Sequence, residues 1–335
     1  MEVIEKDLLG ICIPTYNRSG YLRECLRSVI DEFSPYGFPI YISDNCSTDN
    51  TTTVVSSFEN DYDNIKYVRN NSNLGPYRNI LNVIQMAETR YIWFMGDDDA
   101  IRKGSVERLV KIMSTNPDFL VLNSALYDKE LAVQKYPKAI DCLADKKYSG
   151  KDIQNLLIDL KKWSYNGFMS AMIIRRSLIE PLIPKYKDPN FSLYDTSWLP
   201  LAIFYEAILN RIGLFICEPS VLSRPNPRTF TKSDWVYSYL ERYMAIDYLK
   251  EIGYDRKILK NVVKSGILGF VSNGVVARGD REVFSLMSDF IRDSDLIPLS
   301  VKLIIQMIDL LPNFLVKTAK GIVIKIRESR VRSSF

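Results

Sequence analysis

Apolar residues in the first third of the chain come in short blocks, each followed by a stretch of helical periodicity. LLGICI (8–13), PIYIS (39–43), IKYVR (65–69), YIWFM (91–95) and FLVLN (119–123) are strand-like runs rich in β-branched and aromatic residues. Between them the spacing predicts helices from about Ser19 to Glu32, Asn50 to Ser57, Pro76 to Ala87 and Lys103 to Ser114. Strands and helices alternating in this way imply an α/β fold, a mostly parallel sheet covered by helices.

From 125 to 150 the periodicity is lost and charges and small breakers gather, which reads as a loop or small insertion. An amphipathic helix over Lys151 to Lys162, a strand at Ser170 to Ile174, a helix around Asp195 to Leu209 and a strand at Leu214 to Cys217 are expected next. After Ser233 the pattern is almost wholly helical. The expected division is therefore an α/β domain over 1–232, with halves 8–124 and 125–232, followed by a helical region over 233–335.

In open parallel sheets, ligands bind beyond the carboxyl ends of the strands, where helix N-termini point their free N–H groups. Four of the expected strands end there on polar residues: Thr15-Tyr16-Asn17-Arg18, Ser43-Asp44-Asn45, Asn70-Asn71-Ser72-Asn73 and Gly96-Asp97-Asp98-Asp99. The last follows a fully apolar run and brings three carboxylates together, and their repulsion calls for a cation. Mg²⁺ or Mn²⁺ suits oxygen ligands, and a diphosphate would complete the shell. A helix-start cap favoured by the dipole is a second reading of the three acids. Asp44 and Asn45 taken alone equally close an Asx turn before the helix near Asp49. Tyr16 can be a packed aromatic, and Asn73 with Gly75 a simple turn. GxxxxGK[ST] is missing, as is GxGxxG after a strand, which removes the main support for an ATPase or dinucleotide site.

Composition narrows the chemistry. A chain of 335 residues, 47% apolar, holds one large α/β domain or two of ordinary size. There is no histidine, so acid–base work falls to carboxylates, Lys, Tyr or Cys, and the commonest zinc ligand is missing. Five cysteines without a CxxC pair imply a reducing compartment and no structural disulfide. The start MEVIEKDLLG is acidic and lacks the regions of a signal peptide, so a cytoplasmic location is expected. The net charge is +4, yet residues 301–335 carry seven Lys or Arg against two Asp or Glu. The basic excess belongs to the tail, and no nucleic-acid partner is expected.

IPTYNR, ISDNCSTDNT, NSNLGPYRN and FMGDDDAIRKGSVERL, in this order and spacing over 8–124, resemble the donor-binding half of the inverting family 2 glycosyltransferases of GT-A fold. Within that family the chain is most similar to bacterial transferases of O-antigen, capsule and related surface polysaccharides, abequosyltransferase-like enzymes among them. The resemblance implies a GT-A, Rossmann-like nucleotide-sugar domain over 1–232. It places Pro14, Thr15, Tyr16 and Asn17 along the nucleotide, with Tyr16 near the base. Asp44, followed by Asn45, would meet the pyrimidine edge and accept from a ring N–H of uracil or thymine. Asn73, Gly75 and Arg78 would lie along the ribose and diphosphate, and Asp97, Asp98 and Asp99 would form the D-x-D region that holds Mg²⁺ or Mn²⁺. The family often reads Asp-x-Asp-Asp, and here Gly96 stands where the first Asp would be. Asp98 is then the main ligand in the usual assignment, while Asp97-x-Asp99 is a literal D-x-D.

For catalysis the resemblance implies Asp195, in NFSLYDTSWLPLAI, as the base that takes the acceptor hydroxyl proton, although the usual Glu-Asp reads Tyr194-Asp195 here. A helix N-cap is the other reading of Asp195. The implied donor is a nucleotide diphosphate sugar, with UDP favoured, and the implied acceptor is lipid-linked or an oligosaccharide. Asn166-Gly167-Phe168 and the Ser223 to Phe230 loop, with Arg224 and Arg228, are expected to shape the acceptor or close over the diphosphate, or else to form a solvated loop. Two rival readings stand beside this one. The first is a non-catalytic nucleotide-sugar-binding scaffold. The second is a sugar-phosphate nucleotidyltransferase, which would need a Gly-rich loop with Arg that IPTYNRSGY does not supply.

The tail from 299 to 335 adds one more expectation. Residues 299–311 are apolar nearly all round but too short to span a bilayer. Beyond them Leu315, Ala319, Ile322, Val323 and Ile326 share a helical face opposite Lys317, Lys320, Lys325 and Arg327. Such a basic amphipathic helix suits an anionic membrane surface, peripheral on the inner face of the cytoplasmic membrane, or else packs in the fold or a dimer.

Overall fold

The structure, a computed structural model, describes residues 5–160, 165, 167–191, 193, 196, 198–225, 232–264 and 281–310. Asp195, Asn166, Arg228 and the tail beyond Leu310 lie outside these residues. The chain forms two compact units, one within 1–156 and 162–227, the other within 157–161 and 228–335.

The first unit opens with the expected alternation: β1 (Leu9–Thr15), α1 (Ser19–Phe33), β2 (Ile40–Asp44), α2 (Thr51–Glu59), β3 (Ile65–Arg69), α3 (Pro76–Met86) and β4 (Tyr91–Phe94). Next come β5 (Ala100–Ile101), α4 (Ser105–Met113) and β6 (Phe119–Tyr127). The rest of the unit adds β7 (Gln134–Tyr136), β8 (Lys146–Ser149), β9 (Met172–Arg175), α5 (Leu199–Ile208) and β10 (Ile212–Ser223). The sheet runs β3-β2-β1-β4-β9-β6-β10-β5, with β7 on β6 and β8 on β10. Strands β3, β2, β1, β4, β6 and β10 share one direction, whereas β9, β5, β7 and β8 run against them.

The core follows from side-chain periodicity. In α1, Leu22, Cys25, Leu26, Val29 and Phe33 recur at three- and four-residue steps, so they share a face and are fully buried. They join Leu9, Ile11 and Ile13 of β1 and Trp93 of β4 in one cluster. A side chain of this size, fully buried, contributes about 1.5–3 kcal/mol. β1 is paired with β2 on one side and β4 on the other, so strand order reverses at β1/β4. This switch point opens a crevice at the carboxyl ends of both strands.

Three expectations are corrected. Residues 125–150 are not a plain loop: β6 runs on to Tyr127, and β7 and β8 attach to the sheet. These short strands are polar, so no apolar alternation marks them. The expected Leu214 to Cys217 strand is the middle of β10, whose register shifts between Ile216 and Val221 around Pro219, where a missing N–H breaks the ladder. Cys142 and Cys217, expected as free thiols, form a disulfide with Cα atoms 5.8 Å apart. Asn123 brings them together. It is fully buried on β6, and its Nδ2 donates to the Ile140 carbonyl at 2.7 Å and the Cys217 carbonyl at 3.1 Å. A separation of 75 residues conceals such a pair from the sequence.

The second unit contains α6 (Lys232–Glu251), α7 (Arg256–Lys264), α8 (Arg281–Asp293) and α9 (Leu299–Leu310). Val301, Ile305 and Ile308 form the buried side of α9, while Leu299, Leu303, Ile304, Met307 and Leu310 are exposed. Among the described residues no helix is long and apolar enough to cross a membrane.

Candidate active site at the strand tips

The first and fourth tips meet at the switch point. Thr15, at the end of β1, donates its hydroxyl to Asp97 Oδ2 at 2.8 Å. Arg18 Nη1 donates to Asp97 Oδ1 at 2.9 Å and to Asp98 Oδ2 at 3.2 Å. Asp99 Oδ2 accepts from the Ser170 hydroxyl at 2.5 Å, and Ser170 Oγ accepts the Gly96 N–H at 2.9 Å. Ser170 lies just before β9, whose reversed direction brings its start, rather than its end, to this edge.

Burial governs the electrostatics. It pushes the Asp97 carboxyl up to about 6, helped by Asp98 and opposed by Arg18 and Thr15. Asp99 is raised well above the ordinary value, again by burial first and then by Asp98, with Ser170 and Arg224 opposing. A Cβ at Gly96 would come within 2.9 Å of Asp98 Oδ1 and 3.2 Å of Asp99 Oδ2. A side chain at that position would therefore require Asp98 and Asp99 to shift.

Among the described residues no three acidic, histidine or cysteine side chains converge as a ligand cluster. The three carboxylates fan out instead, toward Thr15 and Arg18, toward Arg18, and toward Ser170. By its chemistry, three carboxylates flanked by two hydroxyls, the donor set suits a hard divalent cation, although the oxygens do not converge on one point here.

The second tip is laced to the first. Asn17 takes a left-handed backbone, φ 52°, and so does Cys46, φ 65°. The Asn17 carbonyl Oδ1 accepts the Thr48 N–H at 2.7 Å, and the Asn17 N–H donates to Ser47 Oγ at 2.9 Å. Asp49 joins the helices behind these tips, accepting the Ser19 N–H at 2.9 Å and the Thr51 hydroxyl at 2.5 Å. Pro14 is half-buried, while Tyr16, next to Thr15, is 41% exposed.

Asp44 is fully buried. Its Oδ1 accepts the Ser47 N–H at 2.8 Å, and its Oδ2 accepts the Tyr67 hydroxyl at 2.7 Å and lies 3.7 Å from Arg69 Nε. The residue expected at a pyrimidine edge thus holds Tyr67 and Arg69 in place.

The third tip hangs on Asn45. Its Nδ2 donates to Asn73 Oδ1 at 2.7 Å and the Gly75 carbonyl at 3.1 Å, and its Oδ1 accepts the Leu74 N–H at 2.8 Å. Gly75, φ 82° and ψ 159°, caps α3 in a conformation only glycine adopts readily. Arg78, one turn on, is exposed.

The motif reading did not include Arg18, Ser170 or Asn79 among the site residues. Asn79 is buried on α3, donating to the Ser43 and Thr15 carbonyls at 2.8 and 3.4 Å and accepting from Ser43 Oγ and Asn70 Nδ2 at 2.7 and 2.9 Å. An amide one turn before Val83, on the face that Ile80, Val83 and Ile84 bury, is the signal that could have found it. Arg224 approaches Asp99 from β10's end, but its guanidinium is bound to Glu24 at 2.6 Å and the Lys129 carbonyl at 3.0 Å.

Comparison with known proteins accords with this geometry. Residues 10–182 match the family model described as Glycosyl transferase family 2. Over 272 residues the chain is 42% identical to the abequosyltransferase RfbV of Salmonella typhimurium, covering 78% of this chain and 80% of that one. It is 30% identical over 195 residues to the GalNAc(5)-diNAcBac-PP-undecaprenol beta-1,3-glucosyltransferase of Campylobacter jejuni, 58% of this chain and 59% of that one. TarS of Staphylococcus aureus in complex with UDP matches with a TM-score of 0.65 at 17% identity, over 96% of this chain and 92% of that one. The mannosyltransferase PcManGT of Pyrobaculum calidifontis, in complex with GDP-Man and Mn²⁺, matches with a TM-score of 0.53 at 12% identity, over 97% and 86%. At such identities these two structures speak for the fold, and the α/β architecture expected for a GT-A protein is the one observed.

Proposed function

The chain belongs to glycosyl transferase family 2 and is a glycosyltransferase, and from that premise we propose that it moves a sugar from a nucleotide diphosphate sugar to a hydroxyl of a lipid-linked or oligosaccharide acceptor. The setting is surface-polysaccharide synthesis, by likeness to the Salmonella and Campylobacter relatives. The carrying observation is the meeting of Thr15 and Arg18 with three consecutive carboxylates at the β1/β4 switch point.

In this reading Tyr16 offers its exposed face to the base, Pro14, Thr15 and Asn17 line the nucleotide, and Asp44 and Asn45 secure the base and ribose side. Asn73, Gly75 and Arg78 flank the ribose and diphosphate. Asp97, Asp98 and Asp99 hold Mg²⁺ or Mn²⁺, and Thr15 and Ser170 orient two of those carboxylates. The cation, when bound, stabilises the charge on the departing diphosphate. Asp195 takes the acceptor proton as the acceptor oxygen bonds to the anomeric carbon and the bond to the β-phosphate oxygen breaks, with inversion. The 1–232 segment carries both substrates. The protein works in the cytoplasm at an anionic membrane surface, with the exposed side of α9 and the basic residues after it as its contact.

Nucleotide release from a panel of UDP-, CDP-, GDP- and dTDP-sugars, with and without Mn²⁺, tests the core of this reading. Release should need the metal and fall by roughly a hundredfold in Asp98→Asn. Binding of nucleotide without turnover on any donor and acceptor would point to a scaffold instead.

A further inference from the structure

Arg18 takes no part in the bond changes just described, yet it is paired with two of the three acids in the crevice. It is the last residue before α1, and its guanidinium bridges Asp97 at 2.9 Å and Asp98 at 3.2 Å. All three side chains are largely shielded, with 16%, 7% and 17% of their surfaces exposed. Two adjacent carboxylates in such a place repel each other strongly unless a cation lies between them.

A divalent ion would ask for the same oxygens. Resting on the metal reading above, we infer that Arg18 is an internal counter-cation: it occupies the ligand oxygens of Asp97 and Asp98 in the free protein and must leave at least one of them when Mg²⁺ or Mn²⁺ binds. It does so without covalent change, by rotation of a long side chain anchored at the mouth of α1. Once displaced, its charge remains beside the crevice, where an arriving diphosphate supplies the anion it has lost. Metal and nucleotide should therefore bind with positive coupling, because each removes a cost the other would meet.

This arrangement fixes the sign of an unusual effect. Removing a residue that merely braces a metal site weakens the metal. Removing a competitor tightens it. Mn²⁺ binding to the full chain, followed without nucleotide by the electron paramagnetic resonance signal of the free ion, should tighten about tenfold in Arg18→Gln, the weight of one hydrogen bond to a charged group. Arg18→Met, which keeps the aliphatic stem, should behave alike, whereas Arg18→Lys should stay near wild type. Thermal unfolding identifies which variants fold.

Wild-type uptake of Mn²⁺ with equal or weaker binding in folded Arg18→Gln and Arg18→Met overturns the inference and leaves the metal reading standing. Mn²⁺ uptake by neither wild type nor variants, with or without UDP, overturns both. Tightening in the two neutral variants supports the competitor role, as does a smaller UDP effect on Mn²⁺ affinity in the same proteins.

Discussion

At the scale of single residues, Asp49 shows how a polar tip is held without a buried salt bridge. It accepts the N–H of Ser19 with one oxygen and the N–H and hydroxyl of Thr51 with the other, so one carboxylate serves the starts of α1 and α2. Burial works against its charge, but the bonds from Thr51 and Ser19 together outweigh it and hold its pKa below the usual carboxylate value. A lowered folded pKa means stability that is present above the unfolded value, about 3.9, and lost as pH falls through the folded one. Wild type should therefore exceed Asp49→Asn in stability at pH 6 by roughly 0.5–1 kcal/mol, the low end for a cap because the group is exposed. Below about pH 3 the gap should close. Thermal unfolding of both proteins across that range checks it.

At the scale of elements, α3 is tied to the sheet by an amide rather than by apolar contact alone. Asn79 satisfies two backbone carbonyls from β1 and β2 and receives Ser43 and Asn70 in return. Asn79→Ala leaves those groups unpaired in a dry place and should cost roughly 2–3 kcal/mol by urea unfolding, in spite of alanine's better helix propensity. The strand and helix order up to residue 124 was legible because each element there has a clean period, and the tips were legible because polar runs break directly from apolar strands. β7 and β8 have neither mark. Asn79 carried a readable sign, a polar residue on a buried face, whereas Ser170 acquires meaning only once β9 is known to insert between β4 and β6. The disulfide needed the same knowledge, since Asn123 gathers its partners across the sheet.

At the scale of the whole molecule, apolar surface and charge gather at the end of the described chain. Leu299, Leu303, Met307 and Leu310 follow one another at three- and four-residue steps and stay exposed, and the residues after them are strongly basic. The membrane contact proposed above would satisfy both, at about 1 kcal/mol for each basic residue near an anionic surface. Co-sedimentation with vesicles rich in phosphatidylglycerol should be strong for wild type, fall by roughly tenfold in Leu303→Glu/Met307→Glu, and weaken with salt. Equal pelleting of both proteins would instead leave that stripe to a second copy or to the fold itself.

The reversed course of β9 has a practical outcome for anyone redesigning this enzyme. Because that strand enters from the far side, a residue encoded 71 positions after Asp99 donates a hydrogen bond to it. Under the proposed function, a substitution at Ser170 or beside it that alters acceptor choice should also disturb Asp99, on the leaving-group side. Selectivity and turnover will drift together under mutation, and a screen that scores only one of them will misjudge its winners.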